Sequence, residues 1–488
     1  MSSNSQIRHF FKNQTIFITG GSGFLGKVLL EKLLRECEEI KKIYVLMRSK
    51  KNKTPTQRFI RATRDLLELA KKMTNLKVFV FVSTAYSNCV HADIKEQFYE
   101  PPMKAKQLLQ LVDALDDDTL KAITPQLLKT WPNTYVFGKS IAEDLINTIG
   151  KDLPITVVRP AIIISSISEP RIGWHDNFYG IIGVCMGTSL GIIRVINLKK
   201  NGIAPLVPVD YVSNCVLAAA WQRGTCDVTT IYNFVGHKNN QITWGRFIKN
   251  SEANYLECAL RKAVWHFSLT TVENKVCYKI CTFFLHTVPA YIADFVLVCL
   301  GKPALYWVVK NYGRLDRLLS AVLYFCTGSW NFEDHNVMEL WNAMADEDKT
   351  LFCFNMERVD YDIYIRNSVI GTRLYLFKET RENSVRMGYS LEQNTFIIMS
   401  YYRNGVLNEN VFTCIHRVLC ESLKTPIRRI VARFNDTGSV SKGKPTRPQV
   451  SEDVEDLRTR MEESPKKSLS KLSLQSGELQ PADFPRRV

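Results

Sequence analysis

The chain has 488 residues, 45% of them apolar, enough for two packed domains and an unpacked remainder. Its formal charge of +16 suits phosphate-rich ligands or an anionic membrane face, but no long basic run with interleaved aromatics and no zinc-finger spacing occurs, which sets nucleic acid aside. The thirteen cysteines are odd in number and include no C-x-x-C pair, so reduced thiols in a cytosol-facing protein are expected, with no structural zinc.

The opening stretch "MSSNSQIRHFFKNQTIF" has charge but neither an apolar h-region nor a small-residue cleavage site, so no secretory leader is expected. Residues 15 to 47 read strand "TIFIT", turn "GGSGFLG", helix "KVLLEKLLREC", strand "IYVLM", the first βαβ unit of a doubly wound parallel sheet. The turn places Gly20, Gly23 and Gly26 between strand and helix. Glycine lets the backbone approach a pyrophosphate, whose charge then sits against the helix amides. Thr19, Gly20, Gly21, Gly23, Phe24, Leu25 and Gly26 are therefore the candidate dinucleotide contacts, against the alternative of a plain tight turn. At the end of the second strand, where an acidic residue would bind a ribose diol, the sequence reads "VLMRSKKNK". Arg48, with Lys50 and Lys51 nearby, could neutralise a 2′-phosphate, which favours NADPH; a solvated basic loop is the alternative.

A helix is predicted over 61–73 and an apolar strand over 77–83, running into "VSTAY". In "NTYVFGKS" the i, i+4 spacing puts Tyr135 and Lys139 on one face of the helix predicted over 133–149. A nearby ammonium stabilises a phenolate, so Lys139 is expected to lower the pKa of Tyr135 and make it a proton donor. Ser83 or Thr84 would hydrogen-bond the substrate carbonyl; which of the two is left open, with Thr84 preferred and strand-end capping the alternative for both. Further strands are predicted at "PITVVRP" (154–160) and "TTIYNFVG" (229–236), and a helical, aromatic-rich module over 276–378.

The most membrane-like stretch, "CTFFLHTVPAYIADFVLVCL" (281–300), is interrupted by His286, Pro289 and Asp294, so it reads as a buried or interfacial helix pair rather than a span. Cys277 and Cys281, four apart, read as core. His91, His175, His237 and His286 have no metal-ligand spacing, and Asp116 to Asp118 read as a solvated turn or helix start. "NTFIIMSYY" (394–402) is too short to cross a bilayer, and from 437 onward Ser, Lys, Glu and Pro predominate, the composition of a disordered tail.

"TGGSGFLGKVLLEKLL", "VFVSTAYSN", "YEPP", "PNTYVFGKSIAE", "VVRPAII", "GWHDNFYG" and "PLVPVDYVSN", in this order and spacing, resemble the alcohol-forming fatty acyl-CoA reductases, an extended short-chain dehydrogenase branch. "VPAYIADFVLVCLGKP", "WNFEDHN" and "FNMERVDYDIYIRNSVIGTRLYL" resemble that family's helical C-terminal domain, and the likeness covers residues 12 to 378. The resemblance implies an NADPH-binding Rossmann-like reductase domain over 12–275, a helical domain over 276–378 and a divergent tail over 379–488. It implies reduction of a long-chain acyl-CoA to a primary alcohol by two NADPH through a bound aldehyde. Tyr135 would protonate oxygen, Lys139 would hold the ribose, Pro160 would pass near the nicotinamide, and Trp174, Asn177 and Gly180 would line the acyl or CoA channel. Read from the residues alone, Trp174 and Phe178 are core packing. A membrane surface at the cytosolic face of the endoplasmic reticulum or peroxisome is the expected partner and location, and the oligomeric state is left open.

The pattern breaks once. Between the second strand and "RATRDLLELAKKM" only "RSKKNKTPTQRF" connects, where the family carries a long insert with two more parallel strands and an Ala-rich loop against the nicotinamide ribose. A dozen residues cannot hold two strands and their crossovers. A doubly wound sheet shortened by two strands is expected, with an exposed edge on the first strand, reduced cofactor affinity and low or absent turnover. Two alternatives stand beside the reductase: a catalytically silent relative that binds acyl chains, membranes or an intact partner, and a nucleotide-sugar epimerase or dehydratase of the same superfamily.

Overall fold

Short apolar runs alternate with amphipathic helices along the chain, and in the computed structural model they fold into strand–helix units with parallel pairing. The structure describes residues 4–46, 55–176, 180–257, 267–299 and 322–379, with residues 260, 263, 313 and 319 singly. The elements are α1 (Gln6–Phe11), β1 (Thr15–Thr19), α2 (Phe24–Glu36), β2 (Lys42–Leu46), α3 (Pro55–Lys71), β3 (Phe79–Val82), β4 (Asp93–Ile94), α4 (Ala105–Ala114), α5 (Asp117–Leu128) and α6 (Thr134–Thr148). They continue with β5 (Ile155–Pro160), β6 (Ile162–Ile164), α7 (Ile181–Ser189), β7 (Val195–Asn197), β8 (Leu206–Pro208), α8 (Val209–Thr225), β9 (Ile231–Phe234), α9 (Trp244–Glu257) and β10 (Thr270–Val272). The remainder is mostly helical: α10 (Lys275–Thr282), α11 (Val288–Cys299), β11 (Asn331–Phe332), α12 (His335–Ala343), α13 (Asp346–Leu351) and α14 (Tyr361–Gly371).

Among the described residues all the strand ladders are parallel, as helical crossovers require. The α/β class with a helical C-terminal region follows. The main sheet is in two pieces: β1 pairs with β2 in one, and β3, β5 and β9 lie side by side in the other. Among the described residues no strand joins β1 to β3, the place where the missing strand was expected.

A strand in the middle of a doubly wound sheet is normally covered on both faces. Here Ile16, Ile18, Ile43 and Val45 face the core, while Phe17, Tyr44 and Leu46 on the other face are 42–45% exposed. Helix α8 bridges the two pieces, packing on α2 from one and on β3 and β5 from the other. The apolar core runs from Ile18 through Val212 and Leu217 to Tyr364 and Ile365 of α14.

Two local differences from expectation, at α3 and Cys277, have clear causes. Helix α3 begins at Pro55 rather than 61, because proline, with its fixed φ and no amide, fits the first helical position. Asp116 lies at a helix start, one of the two readings of that stretch, and caps α5 with its carboxylate accepting from the amides of Asp118 and Thr119. Cys277 is exposed rather than core, since α10 turns that side outward.

Candidate active site

The glycine turn closes backbone on backbone. Gly20 has φ +72°, and its carbonyl accepts from the amide of Gly23 at 2.9 Å. A Cβ on Gly26 would lie 2.2 Å from that same carbonyl, so no larger residue fits. Helix α2 starts at Phe24 with no side-chain cap, leaving its first amides directed at the space an anion would take. Thr19 and Gly20 are exposed beside it and Leu25 packs against the core. The turn and the uncapped helix start can therefore hold a pyrophosphate.

Trp174 reaches this same corner. Its ring lies 5.5 Å from that of Phe24, and the adjacent Asp176 pairs with Lys27 of α2. The loop bearing Trp174 is held from behind by Asp210, whose carboxylate accepts from the amides of Ile167, Ser168 and Glu169 at 2.8–3.0 Å. Gly173, at φ +71°, lets the loop lie directly on the backbone of α14. Gly180, at φ +63°, opens α7. Asn177 and Arg48, with Lys50 and Lys51, lie outside the described residues.

Successive residues of an extended chain point to opposite sides, and this separates the two hydroxyls after β3. Ser83 turns inward and donates to Glu143 Oε1 at 2.5 Å. Glu143 is locked to Arg159 by two charge-assisted bonds, Nη2 to Oε2 at 2.6 Å and Nε to Oε1 at 3.0 Å, with Arg159 fully buried. The guanidinium also donates to the carbonyls of Lys95 and Gln97, and Asn88 donates to Glu143. Ser83 thus belongs to a buried polar network. Thr84 has different partners: its hydroxyl donates to the carbonyl of Pro160 at 3.5 Å and accepts from the amide of Tyr86 at 3.4 Å, and its nearness to the phenol of Tyr135 opposes the rise in that group's pKa.

Asn133 caps α6, its side chain accepting from the amides of Tyr135 and Val136 at 3.1 Å, which fixes Tyr135 in the first helical turn. Tyr135 is 57% exposed; partial desolvation pushes the phenol pKa up, and Thr84 partly offsets it. The expected lowering by Lys139 does not occur. Lys139 is turned away, donating to the Val82 carbonyl at 2.8 Å with the ring of Phe59 4.4 Å from its Nζ. Burial lowers the Lys139 pKa to about 8, against an opposing pull from Glu143.

Phe59 comes from α3, directly after the shortened connection. It sits on the ammonium that would hold the nicotinamide ribose, so the ribose end of the site does not fit a dinucleotide as the pyrophosphate end does. Thr84, Tyr135 and Pro160 are brought together, Ser83 and Lys139 are drawn into protein contacts, and Trp174 joins the glycine turn. Sequence reasoning missed Phe59, Glu143 and Arg159. The signal for the last two was present: an arginine inside the apolar strand "ITVVRP" must find a buried carboxylate. His175, buried against the Gly173 carbonyl and lowered to about 4 mainly by desolvation, is a neutral packing residue.

Two family profiles, both described as Male sterility protein, match the chain: an NAD-binding profile over residues 18–62 and 59–216, and a second over residues 285–379. "Fatty acyl-CoA reductase wat" of Drosophila melanogaster is 31% identical over 457 residues, covering 78% of this chain and 88% of its own. "Fatty acyl-CoA reductase 1" of Homo sapiens is 31% identical over 451 residues, covering 76% and 86%. Among solved structures, the terminal R domain from the myxalamid PKS-NRPS biosynthetic pathway aligns with a TM-score of 0.47 at 16% identity, covering 75% of this chain and 92% of that one. For the Drosophila protein, 78% of 488 is about 381 residues, which leaves about 76 of the 457 aligned positions without a partner in this chain. The NAD-binding profile matches in two stretches that meet at residues 59 to 62, inside α3.

Proposed function

Because the chain belongs to the fatty acyl-CoA reductase family, we propose that its site is built to reduce a long-chain acyl-CoA to a primary alcohol with NADPH, and that the shortened sheet leaves it little turnover. The observation that carries this reading is the position of Thr84 just past the carboxyl end of β3, bonded to the Pro160 carbonyl, with Tyr135 fixed by Asn133 in the first turn of α6. Two convergent hydroxyls can hold a carbonyl oxygen, Thr84 as donor and Tyr135 giving its proton as charge builds on that oxygen. A raised phenol pKa keeps Tyr135 protonated at neutral pH, the form a proton donor needs.

When bound, the nicotinamide would supply hydride to the carbonyl carbon. The first reduction expels the CoA thiolate and leaves an aldehyde, and the second yields the alcohol. Thr19, Gly20, Gly21, Gly23, Phe24, Leu25 and Gly26 would hold the pyrophosphate against α2. Arg48, with no acidic residue at the end of β2, supports NADPH over NADH. Trp174, Asn177 and Gly180 are the proposed acyl or CoA contacts. Lys139 would have to leave Val82 and Phe59 to reach a ribose, and this supports low turnover.

The family assignment removes the nucleotide-sugar enzyme alternative. The silent relative stays as a second reading, favoured by Phe59 over Lys139 and by the split sheet. The cytosolic face of the endoplasmic reticulum or peroxisome is the proposed location, and no helix among the described residues is long and apolar enough to cross a membrane.

The test is fatty alcohol production from hexadecanoyl-CoA and NADPH, followed by mass spectrometry, with the purified chain beside Tyr135→Phe. A small NADPH-dependent yield that drops about a hundredfold or more in Tyr135→Phe is expected. Equal yields from the two proteins would leave the silent relative as the correct reading.

A further inference from the structure

Among its described residues the stretch that resembled a membrane span has one buried and one exposed side, and no helix there is long and apolar enough to cross a membrane. Asn274 caps α10 by accepting from the amides of Val276 and Cys277. The helix then widens to a π turn over Phe283–Thr287 before α11, because Pro289 offers no amide to the carbonyl of Leu285. That carbonyl accepts instead from Arg194 Nη2 at 2.9 Å, and His286 Nε2 accepts from the Arg194 amide at 2.9 Å. These two bonds, with His286, Ala290 and Asp294 buried, pin one side of the helix to the body of the protein.

The opposite side is apolar and faces solvent. Val276, Ile280, Phe283, Phe284, Tyr291 and Ile292 are each 52–66% exposed, and their spacing of three, four and seven puts them on one face. No other stretch of this length among the described residues turns out so many large apolar side chains. Lys275 and Lys279, both exposed, sit one helical step to the side of this stripe, where their stems can lie along the apolar face and their charges reach outward. A stripe of aromatic and aliphatic side chains edged by lysines is the pattern of a helix lying in a lipid interface.

We infer that the outward face of Lys275–Ile292 docks flat on an anionic lipid surface, with the six apolar side chains entering the acyl boundary and Lys275 and Lys279 contacting lipid phosphates or carboxylates. Charge selects this occupant: the chain carries +16 overall, and at the border of the stripe the exposed Lys275 and Lys279 outnumber the one exposed carboxylate, Glu273, so an anionic bilayer complements the surface. The inference does not depend on catalysis, so its failure is separable from failure of the reductase reading.

The test is flotation of the full chain with vesicles of phosphatidylcholine alone or with about 30% phosphatidylserine. Binding to the anionic vesicles is expected, weakening as salt rises from about 0.1 to about 0.5 M. The double variant Ile280→Glu/Phe284→Glu should lose binding about tenfold or more, and Lys275→Glu/Lys279→Glu should erase the preference for phosphatidylserine. Val228→Glu, at an exposed apolar position elsewhere, is the control and should bind as the parent does. All replaced side chains are exposed, so circular dichroism should be unchanged. Parent binding to neither vesicle would overturn the inference. So would undiminished binding by the glutamate pair, or loss of self-association by that pair with vesicle binding intact, which would make the face a contact between copies.

Discussion

At the level of single residues, the separation of Ser83 from Thr84 decides what their removal does. Ser83 supplies an O–H to a carboxylate that shares a fully buried arginine, so Ser83→Ala leaves Glu143 short of a donor in a dry site. A loss of about 1–2 kcal/mol in urea unfolding is expected for Ser83→Ala, and less than about 0.5 kcal/mol for Thr84→Ala. The reverse order would mean that the two hydroxyls have been assigned the wrong way round. Lys139 gives a pH-dependent result. Its folded pKa, about 8, lies below the ordinary 10.5, so between those values the unfolded chain binds more protons and stability rises with pH. Below pH 8 the folded state bears the full cost of the partly buried ammonium. Lys139→Met should therefore be more stable than the parent at pH 7, on the order of 2 kcal/mol after loss of the Val82 bond, with the advantage fading toward pH 10.5. A difference that stays constant from pH 7 to pH 10 would rule this out. The i, i+4 pattern correctly placed Tyr135 and Lys139 on one helix, but spacing says nothing about what else competes for an ammonium. Val82 and Phe59 do, and neither contact is written in the local sequence.

At the level of elements, the glycine turn was legible because three positions are demanded by local geometry: Gly20 by its positive φ, Gly23 by the turn it closes, Gly26 by its approach to the Gly20 carbonyl. The parallel pairing was legible because strand and helix alternate. The gap was legible too, since the connection after β2 is too short for two strands. What could not be read was the response of the neighbours: α3 advancing to Pro55 and delivering Phe59 onto Lys139. A strand placed between β1 and β3, with the loop that follows it, would displace Phe59 and complete the ribose end. Inserting the segment of the Drosophila relative that lies between the two matched stretches, at residues 59 to 62, should therefore restore binding. In a thermal shift assay, NADPH at about a hundred times its Kd should stabilise the restored chain by about 2.7 kcal/mol and leave the present chain nearly unmoved. Equal shifts for both would show that the split sheet and Phe59 do not impair the site.

At the level of the whole molecule, the shortened sheet leaves two kinds of unsatisfied surface together. The edge of β1 that faces the gap has no strand partner among the described residues, and the face beside it carries Phe17, Tyr44 and Leu46 in solvent. Unpaired strand amides next to exposed aromatic side chains are a template for pairing with another chain. The charge of +16 opposes close approach between copies at low ionic strength, but screening shortens that repulsion to roughly 8 Å at physiological salt, so the apolar face governs at contact. Salt should thus promote self-association of this chain, the opposite of its effect on the proposed lipid contact. The double variant Phe17→Lys/Leu46→Lys adds charge to the bare face at positions that already meet water, so folding stability should change by less than about 0.5 kcal/mol. In sedimentation at physiological salt the parent should form large species and the variant should remain mainly monomeric, with vesicle binding through Lys275–Ile292 retained. If the parent sediments as a monomer under the same conditions, the exposed β1 face does not drive association, and α8 holds the two half-sheets together firmly enough for the gap to be tolerated.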